Sequence, residues 1–239
     1  MISVLVPAYN EAQNLSRTIE ETVNILQRCG LEHEVIVVDD GSEDGTYEKA
    51  LSIAKQHENV RTLGYKQNMG KGHALKHGFQ FARGDLVLFL DADSDLPPSQ
   101  IPKFLDYIGE NGADVVVGSK RHPLSKVDFP LSRRILSKGY SLLIGLMFNL
   151  DIADTQVGIK LFRWEVLDRV FPKVLVKRYA FDLELLVNAA RSGYRIAEAP
   201  IELNFYDSSG LDFKGIWRIF LDTLAVFYRM RILHYYDEG

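Results

Sequence analysis

A chain of 239 residues, 46% of them hydrophobic, is long enough to bury the core of one α/β unit and still carry an appended segment. Its formal net charge of −4 argues against a general nucleic-acid binder, and its single cysteine, Cys29, excludes an internal disulfide and any thiolate metal cage. No stretch of about 18 uncharged apolar residues occurs, so no transmembrane span is predicted.

Residues 2–6 read as a buried strand. The opening MISVLVPAYN has no basic n-region and its apolar run stops at Pro7, which marks a first strand rather than a signal peptide. A helical pattern follows to Gln27, with Asn10 or Asn14 as cap and Cys29-Gly30 as its close. Residues 35–38 form a second strand that ends in Asp39-Asp40-Gly41-Ser42. A helix over 44–57 leads to a strand over 60–63, and Asn68-Met69-Gly70-Lys71-Gly72 opens a helix running to Ala82. Arg83-Gly84 then leads into the apolar run 86–90. Strands and helices alternating at this spacing are successive βαβ units, which predict a mainly parallel sheet with its functional loops on one edge.

The fourth strand carries the strongest signal. Its sequence, DLVLFLDADSD over 85–95, delivers Asp91, Asp93 and Asp95 at the C-terminal edge of the sheet, on one side by alternation. Clustered like charges cost free energy unless a cation compensates them, and oxygen ligands suit Mg²⁺ or Mn²⁺ held together with substrate phosphates. An N-cap role for Ser94 or Asp95 before Pro97-Pro98 explains one acid but not three. After the first strand, Pro7, Tyr9 and Glu11 offer a rigid turn, an aromatic face and an acceptor; after the second, Asp39 and Asp40 are placed to accept from a ribose or base. Ordinary turn and capping chemistry accounts for the same residues equally well. The Gly70-Lys71-Gly72 loop lacks the phosphate-loop spacing and no Rossmann glycine pattern follows strand one, so the nucleotide site uses neither device.

A further strand over 114–118 places Ser119-Lys120-Arg121-His122 at its end. Residues 131–150 join Arg133, Arg134 and Lys138 to the apolar run 142–148, a pattern that fits a helix at a bilayer surface and a core helix with a solvated first turn. A polar loop over 154–158 precedes a strand over 159–162; a helix starts at Phe181 and ends near Gly193, and 195–199 is a short strand. In the tract 213–236, Trp217, Phe220, Leu224 and Phe227 share a face at helical spacing, while Arg218, Asp222, Arg229 and Arg231 make spanning costly. Interfacial anchoring is the better supported reading, with packing onto the domain or onto a partner as the alternative.

PAYNE at 7–11, DDGSEDGT at 39–46, NMGKGHAL at 68–75, ARGD at 82–85, DADSD at 91–95 and RRILSKG at 133–139 occur in one order along nearly the whole chain. With them the chain resembles the family 2 inverting glycosyltransferases, and within these the dolichyl-phosphate mannose and glucose synthases. DTQVGIKLF at 154–162 and FDLELL at 181–186 look most like the glucose-type members. The resemblance implies a GT-A nucleotide-sugar-binding fold over 1–212, with a mainly parallel central sheet flanked by helices, and an interfacial amphipathic helix over 213–239. It implies inverting hexosyl transfer from UDP-glucose or GDP-mannose to a polyprenyl (dolichyl) phosphate, by a cytoplasmic enzyme held peripherally on the membrane surface. Transfer to a polysaccharide or protein hydroxyl is the alternative.

Residue by residue, the resemblance implies that Pro7, Tyr9, Glu11, Val38 and Asp40 hold the nucleoside. Lys71, Asp91, Ala92 and Lys120 would complete the nucleotide-sugar contacts. Asp93 would bind Mg²⁺ or Mn²⁺ together with Asp95, a position where the family often has Gln. Arg121, Arg133, Arg134 and Ser137 would face the acceptor phosphate, with Asp93 and Arg133 central to catalysis. Lys120 stands where mannose synthases have Arg, so the planar bidentate fork is lost and the diphosphate contact falls to Lys120 or Arg121. Residues 206–212 carry no arginine where the family has a basic loop. A phosphate acceptor, with a second pKa of about 6, needs no general base. A hydroxyl acceptor needs one, for which Asp182 and Glu184 are suited.

Overall fold

The computed structural model describes residues 1–110, 112–127, 131–178, 180–203 and 213–237, and of 110, 131–137, 213, 214 and 216 the backbone alone. Strands β1 (Ile2–Ala8), β2 (His33–Asp39), β3 (Val60–Gly64) and β4 (Leu86–Phe89) alternate with helices α1 (Leu15–Arg28), α2 (Thr46–Ala54) and α3 (Lys71–Phe79). Beyond β4 a 3₁₀ turn at Pro98–Gln100 runs into α4 (Ile101–Glu110), followed by β5 (Val115–Ser119), the short β6 (Lys126–Val127) and α5 (Leu131–Phe148). Then come β7 (Lys160–Arg163), α6 (Trp164–Val170), α7 (Phe181–Arg191), β8 (Ile196–Pro200), β9 (Glu202–Leu203) and α8 (Phe213–Arg231).

Seven strands form one sheet in the order β3-β2-β1-β4-β7-β5-β8, and β6 pairs with β9 apart from it. The sheet is parallel except for β7, which runs antiparallel to both β4 and β5. Lys160 therefore lies opposite Phe89, and the loop before β7 joins the same edge as the C-terminal ends of β1, β2 and β4. Alternation feeds two cores. Leu5, Ile36, Val38, Val87 and Phe89 pack with α3, α7 and α8 on one face, while Val4, Val6, Val35, Val37 and Leu88 pack with α1 and α4 on the other. Both faces are covered, which is why the strands read as unbroken apolar runs.

Helix α7 is buried along Phe181 to Ala189, polar residues included. It lies close against α3 because Gly72 leaves room: a Cβ there would stand 2.3 Å from the Phe181 ring. Gly72 thus serves helix packing, while Gly70, at φ +98°, lets the loop pass close to Lys177 and Arg178. Asn14 occupies the N-cap of α1 without a side-chain cap; its amide donates to Glu11 instead, at 3.0 Å.

Helix α5 has a core face and an exposed apolar face. Ile144 and Phe148 are buried in the core, whereas Leu142 and Leu146 are exposed. In α8 the inward face is Thr223, Val226 and Met230, with Thr223 and Tyr140 joined by a 2.9 Å hydrogen bond to α5. The expected outer face needs correction. Phe227 turns inward onto the edge of Phe148, and the exposed stripe is Trp217, Leu221, Leu224 and Tyr228. Among the described residues no helix is long and apolar enough to cross a membrane.

Candidate active site

The loops after β1 and β2 are stitched together by the residues of the two motifs. Asn10 N donates to Ser42 Oγ at 2.9 Å, Glu43 N to Asn10 Oδ1 at 3.0 Å, and Glu11 N to Thr46 Oγ1 at 2.8 Å. Asp40 is buried and holds the next loop: it accepts from Tyr65 Oη at 2.7 Å, Met69 N at 2.8 Å and Gly70 N at 2.9 Å. Its carboxylate lines the cavity, but most of its acceptor capacity is taken up by the protein. Asp39 differs, for its Oδ1 is buried without a hydrogen-bond partner.

A cavity of about 750 Å³ opens at this edge, lined by Tyr9, Asp40, Lys71, Gln156, Arg178 and Asp182 among others. Tyr9 lines the cavity and is exposed. Val38 departs from the expectation: its side chain is wholly buried beneath α3, against Gly78, because alternation in β2 points it into the core. Pro7, next to last in β1, is half-buried, and Ala92 is buried with its carbonyl accepting from Thr18 Oγ1 at 3.0 Å.

The three acids do not share one environment. Asp91 is paired with Lys71 at 2.6 Å and fits against Gly158, where a Cβ would stand 2.0 Å from its Oδ2. Burial works against the Lys71 ammonium, yet Asp91 and Asp182 hold it charged above its ordinary range. Asp93 makes no ion pair among the described residues and feels Lys71 only at longer range. Its carboxyl is pushed up to about 6 by burial first, then by Asp91, Asp95 and Glu11, while Asp95 N donates to its Oδ1 at 3.1 Å. Burial and the same acids raise Glu11 against the pull of its Asn14 hydrogen bond.

Among the described residues no group of three or more His, Cys, Asp or Glu side chains is arranged to hold a metal ion. A divalent ion that keeps waters and substrate phosphates as ligands needs only one or two protein carboxylates. Asp93 and Asp95, crowded by like charge with Asp91 already neutralised, fit that requirement.

Neither FDLE carboxylate is available as a base. Asp182 Oδ1 lies 2.8 Å from the buried Lys160 Nζ, as an ion pair. Burial opposes its charge, but Lys160 and Lys71 keep it below the ordinary carboxylate range. Glu184 is fully buried and accepts four hydrogen bonds: from Leu175 N at 2.8 Å and Val176 N at 2.6 Å on Oε2, and from Arg229 at 2.9 Å and Tyr236 Oη on Oε1. It ties residues 174–178 to α8 and to the tail. That segment in turn caps α3, since Gly72 N donates to Lys177 O at 2.9 Å, and Arg178 donates to Asn68 O at 3.0 Å.

At the end of β5, Lys120 Nζ lies 3.4 Å from Asp154, and Arg121 N donates to Ser119 Oγ at 3.3 Å. Arg133, Arg134 and Ser137 fall on the first turns of α5, where the side chains lie outside the described residues, as does the whole of 206–212. Sequence reasoning missed Lys160, Arg178 and Gln156. Gln156 sits in the DTQVG motif and carried a signal; Lys160 and Arg178 carried none, because their neighbours come from distant parts of the chain.

Known proteins share its sequence pattern and its fold. The pattern described as Glycosyl transferase family 2 matches residues 3–171. The chain is 37% identical to dolichyl-phosphate beta-glucosyltransferase ALG5D of Trichomonas vaginalis, across 97% of this chain and 75% of that protein. It is 31% identical to the dolichyl-phosphate beta-glucosyltransferase of Saccharomyces cerevisiae, across 87% of this chain and 68% of that one. The solved glucosyl-3-phosphoglycerate synthase of Mycobacterium tuberculosis, in complex with Mn²⁺, UDP and phosphoglyceric acid, has the same fold, with a TM-score of 0.71 at 20% identity over 95% of this chain and 77% of that one. With a family pattern over most of its length and relatives this similar, the chain belongs to glycosyl transferase family 2.

Proposed function

We propose that the chain transfers a hexose, glucose in the first place, from a nucleotide sugar to a polyprenyl phosphate of the dolichyl type, with inversion at the anomeric carbon. The choice of sugar rests on the names of its relatives. The observation that carries the choice of acceptor is the engagement of both Asp182 and Glu184 inside the protein. A hydroxyl nucleophile needs a base within reach; a phosphate oxygen is already ionised near neutrality and does not.

In this reading Tyr9 and the loops after β1 and β2 receive the nucleoside, and Asp93 with Asp95 would hold Mg²⁺ or Mn²⁺ beside the diphosphate. When bound, that ion neutralises the leaving nucleoside diphosphate as the C1–O bond breaks. Lys71 fixes the Asp91 carboxylate at the edge of β4, and Gly158 leaves the space in which it sits. Attack comes from the face opposite the leaving group, which inverts the centre. The exposed stripe Trp217, Leu221, Leu224 and Tyr228, with Leu142 and Leu146 of α5, would lie in the interfacial layer of the membrane and keep the protein peripheral.

The test is a donor screen with the purified full chain, UDP-glucose or GDP-mannose, Mn²⁺ and a polyprenyl phosphate in detergent, read as label entering the organic phase. Label transferred only to a saccharide or protein hydroxyl would reject the reading.

A further inference from the structure

A second cavity, of about 640 Å³, runs between residues 175–178 and helix α8. It meets the donor cavity at Arg178, which lines both. Helix α8 walls both as well: Ile219 faces the donor cavity, while Arg218, Leu221 and Ala225 face the groove. The groove has two characters. Leu175, Val176, Leu221 and Ala225 give it an apolar floor; Lys177, Arg178, Arg218 and Arg229 set four cations against one acid, Asp222. Arg229 is held by Glu184 and Tyr236 at one end of the groove, and Arg178 donates to Asn68 O at 3.0 Å at the other.

From this juxtaposition we infer that the groove between α8 and residues 175–178 receives the acceptor, a polyprenyl monophosphate, with Arg178 and Arg218 meeting its phosphate and the apolar floor its first isoprene units. The inference rests on the proposed function and deepens it. Charge complementarity selects an anion at the Arg178 end, where the two cavities meet and a nucleophile must stand to reach the donor. The apolar floor selects an amphiphile over a free phosphate. Leu221 belongs both to the groove and to the exposed stripe of α8, so an apolar chain leaving the groove passes directly onto the surface that would face lipid. These two arginines also supply, from other parts of the chain, the positive charge that residues 206–212 lack.

The experiment compares the full chain with R218E, R218K and R178A in nonionic detergent micelles, so that attraction to anionic lipid does not enter. Loss of one charge-assisted contact to phosphate raises the KM for polyprenyl phosphate by about tenfold or more. In R218E and R218K, whose residue lines the groove and not the donor cavity, the affinity for UDP with Mn²⁺ and the slow, acceptor-free hydrolysis of the donor stay within about twofold of wild type. R218K recovers most of the loss, because it restores the charge; a role in holding α8 in place alone would not give that recovery with an unchanged kcat. Inorganic phosphate competes only weakly with polyprenyl phosphate, whereas equal competition removes the apolar floor from the inference. If the wild type transfers to polyprenyl phosphate while R218E and R178A keep its KM, the groove assignment is overturned and the proposed function stands. If the wild type transfers to no polyprenyl phosphate, both fall.

Discussion

Substituting Gly158 by Ala tests whether the Asp91 carboxylate must sit where it does. The backbone at Gly158 lies outside the left-handed region, so alanine adds only its methyl group. That carbon would stand 2.0 Å from Asp91 Oδ2, 2.4 Å from Cγ and 3.0 Å from Cβ. Ordinary carbon-to-oxygen contact is about 3.5 Å, so the carboxylate has to move by more than about 1 Å, a change of rotamer rather than a relaxation. The move breaks the 2.6 Å pair with Lys71. Overpacking of this kind costs about 1–3 kcal/mol, which in a chain of this length lowers the Tm by about 2–12 °C. Displacing a positioned group by about 1 Å costs about a hundredfold in rate. Thermal unfolding and the organic-phase transfer assay measure the two effects on one preparation. A folded G158A that transfers within threefold of wild type would refute the assignment of Asp91 to the reaction centre.

Asp182→Asn leaves the buried Lys160 without its anion and is expected to cost about 3–5 kcal/mol in denaturant unfolding, while the fraction that stays folded keeps appreciable transfer to a phosphate acceptor. Loss of all transfer per folded molecule would restore Asp182 as a base. Asp93→Asn removes a charged oxygen and keeps the shape, so transfer should cease and UDP affinity in Mn²⁺ should fall by calorimetry; undiminished turnover would dismiss Asp93 as a metal ligand. Trp217→Ser with Leu224→Ser removes two exposed apolar side chains and should abolish co-flotation with liposomes without changing the unfolding midpoint, whereas flotation that persists would place the membrane contact elsewhere.

The order of strands and helices was legible because buried strands write themselves as apolar runs, and so was the placement of the acids after β4, where such a run ends. The reversal of β7 was not. KLFR and LVLF both read as strands, and a buried strand carries no mark of its direction. Lys160 stayed hidden for a related reason: a lysine in a sequence reads as surface, and only the fold brings Asp182 to it. The carboxylates of Asp40, Asp182 and Glu184 were visible as residues, but whether each is open to a ligand depends on donors far away in the chain. On α8 the step of ~100° per residue was read correctly as a helix, yet its rotation depended on Phe148 of α5, which turned Phe227 inward and brought Leu221 out.

The four hydrogen bonds that converge on Glu184 bear on how the protein can be handled. Its Oε1 partners, Arg229 and Tyr236, lie in the last stretch of the chain. A shortened version ending before α8, the usual remedy for a protein that sticks to membranes, strips that oxygen of both donors and leaves a charge in the interior with only Leu175 N and Val176 N to meet it. The disturbance falls first on residues 174–178, then on the Gly72 amide they cap and on the mouth of the donor cavity. Truncation would therefore trade solubility for nucleotide affinity, and exchanging surface residues such as Leu142 and Leu146 for polar ones is the gentler route to a soluble enzyme.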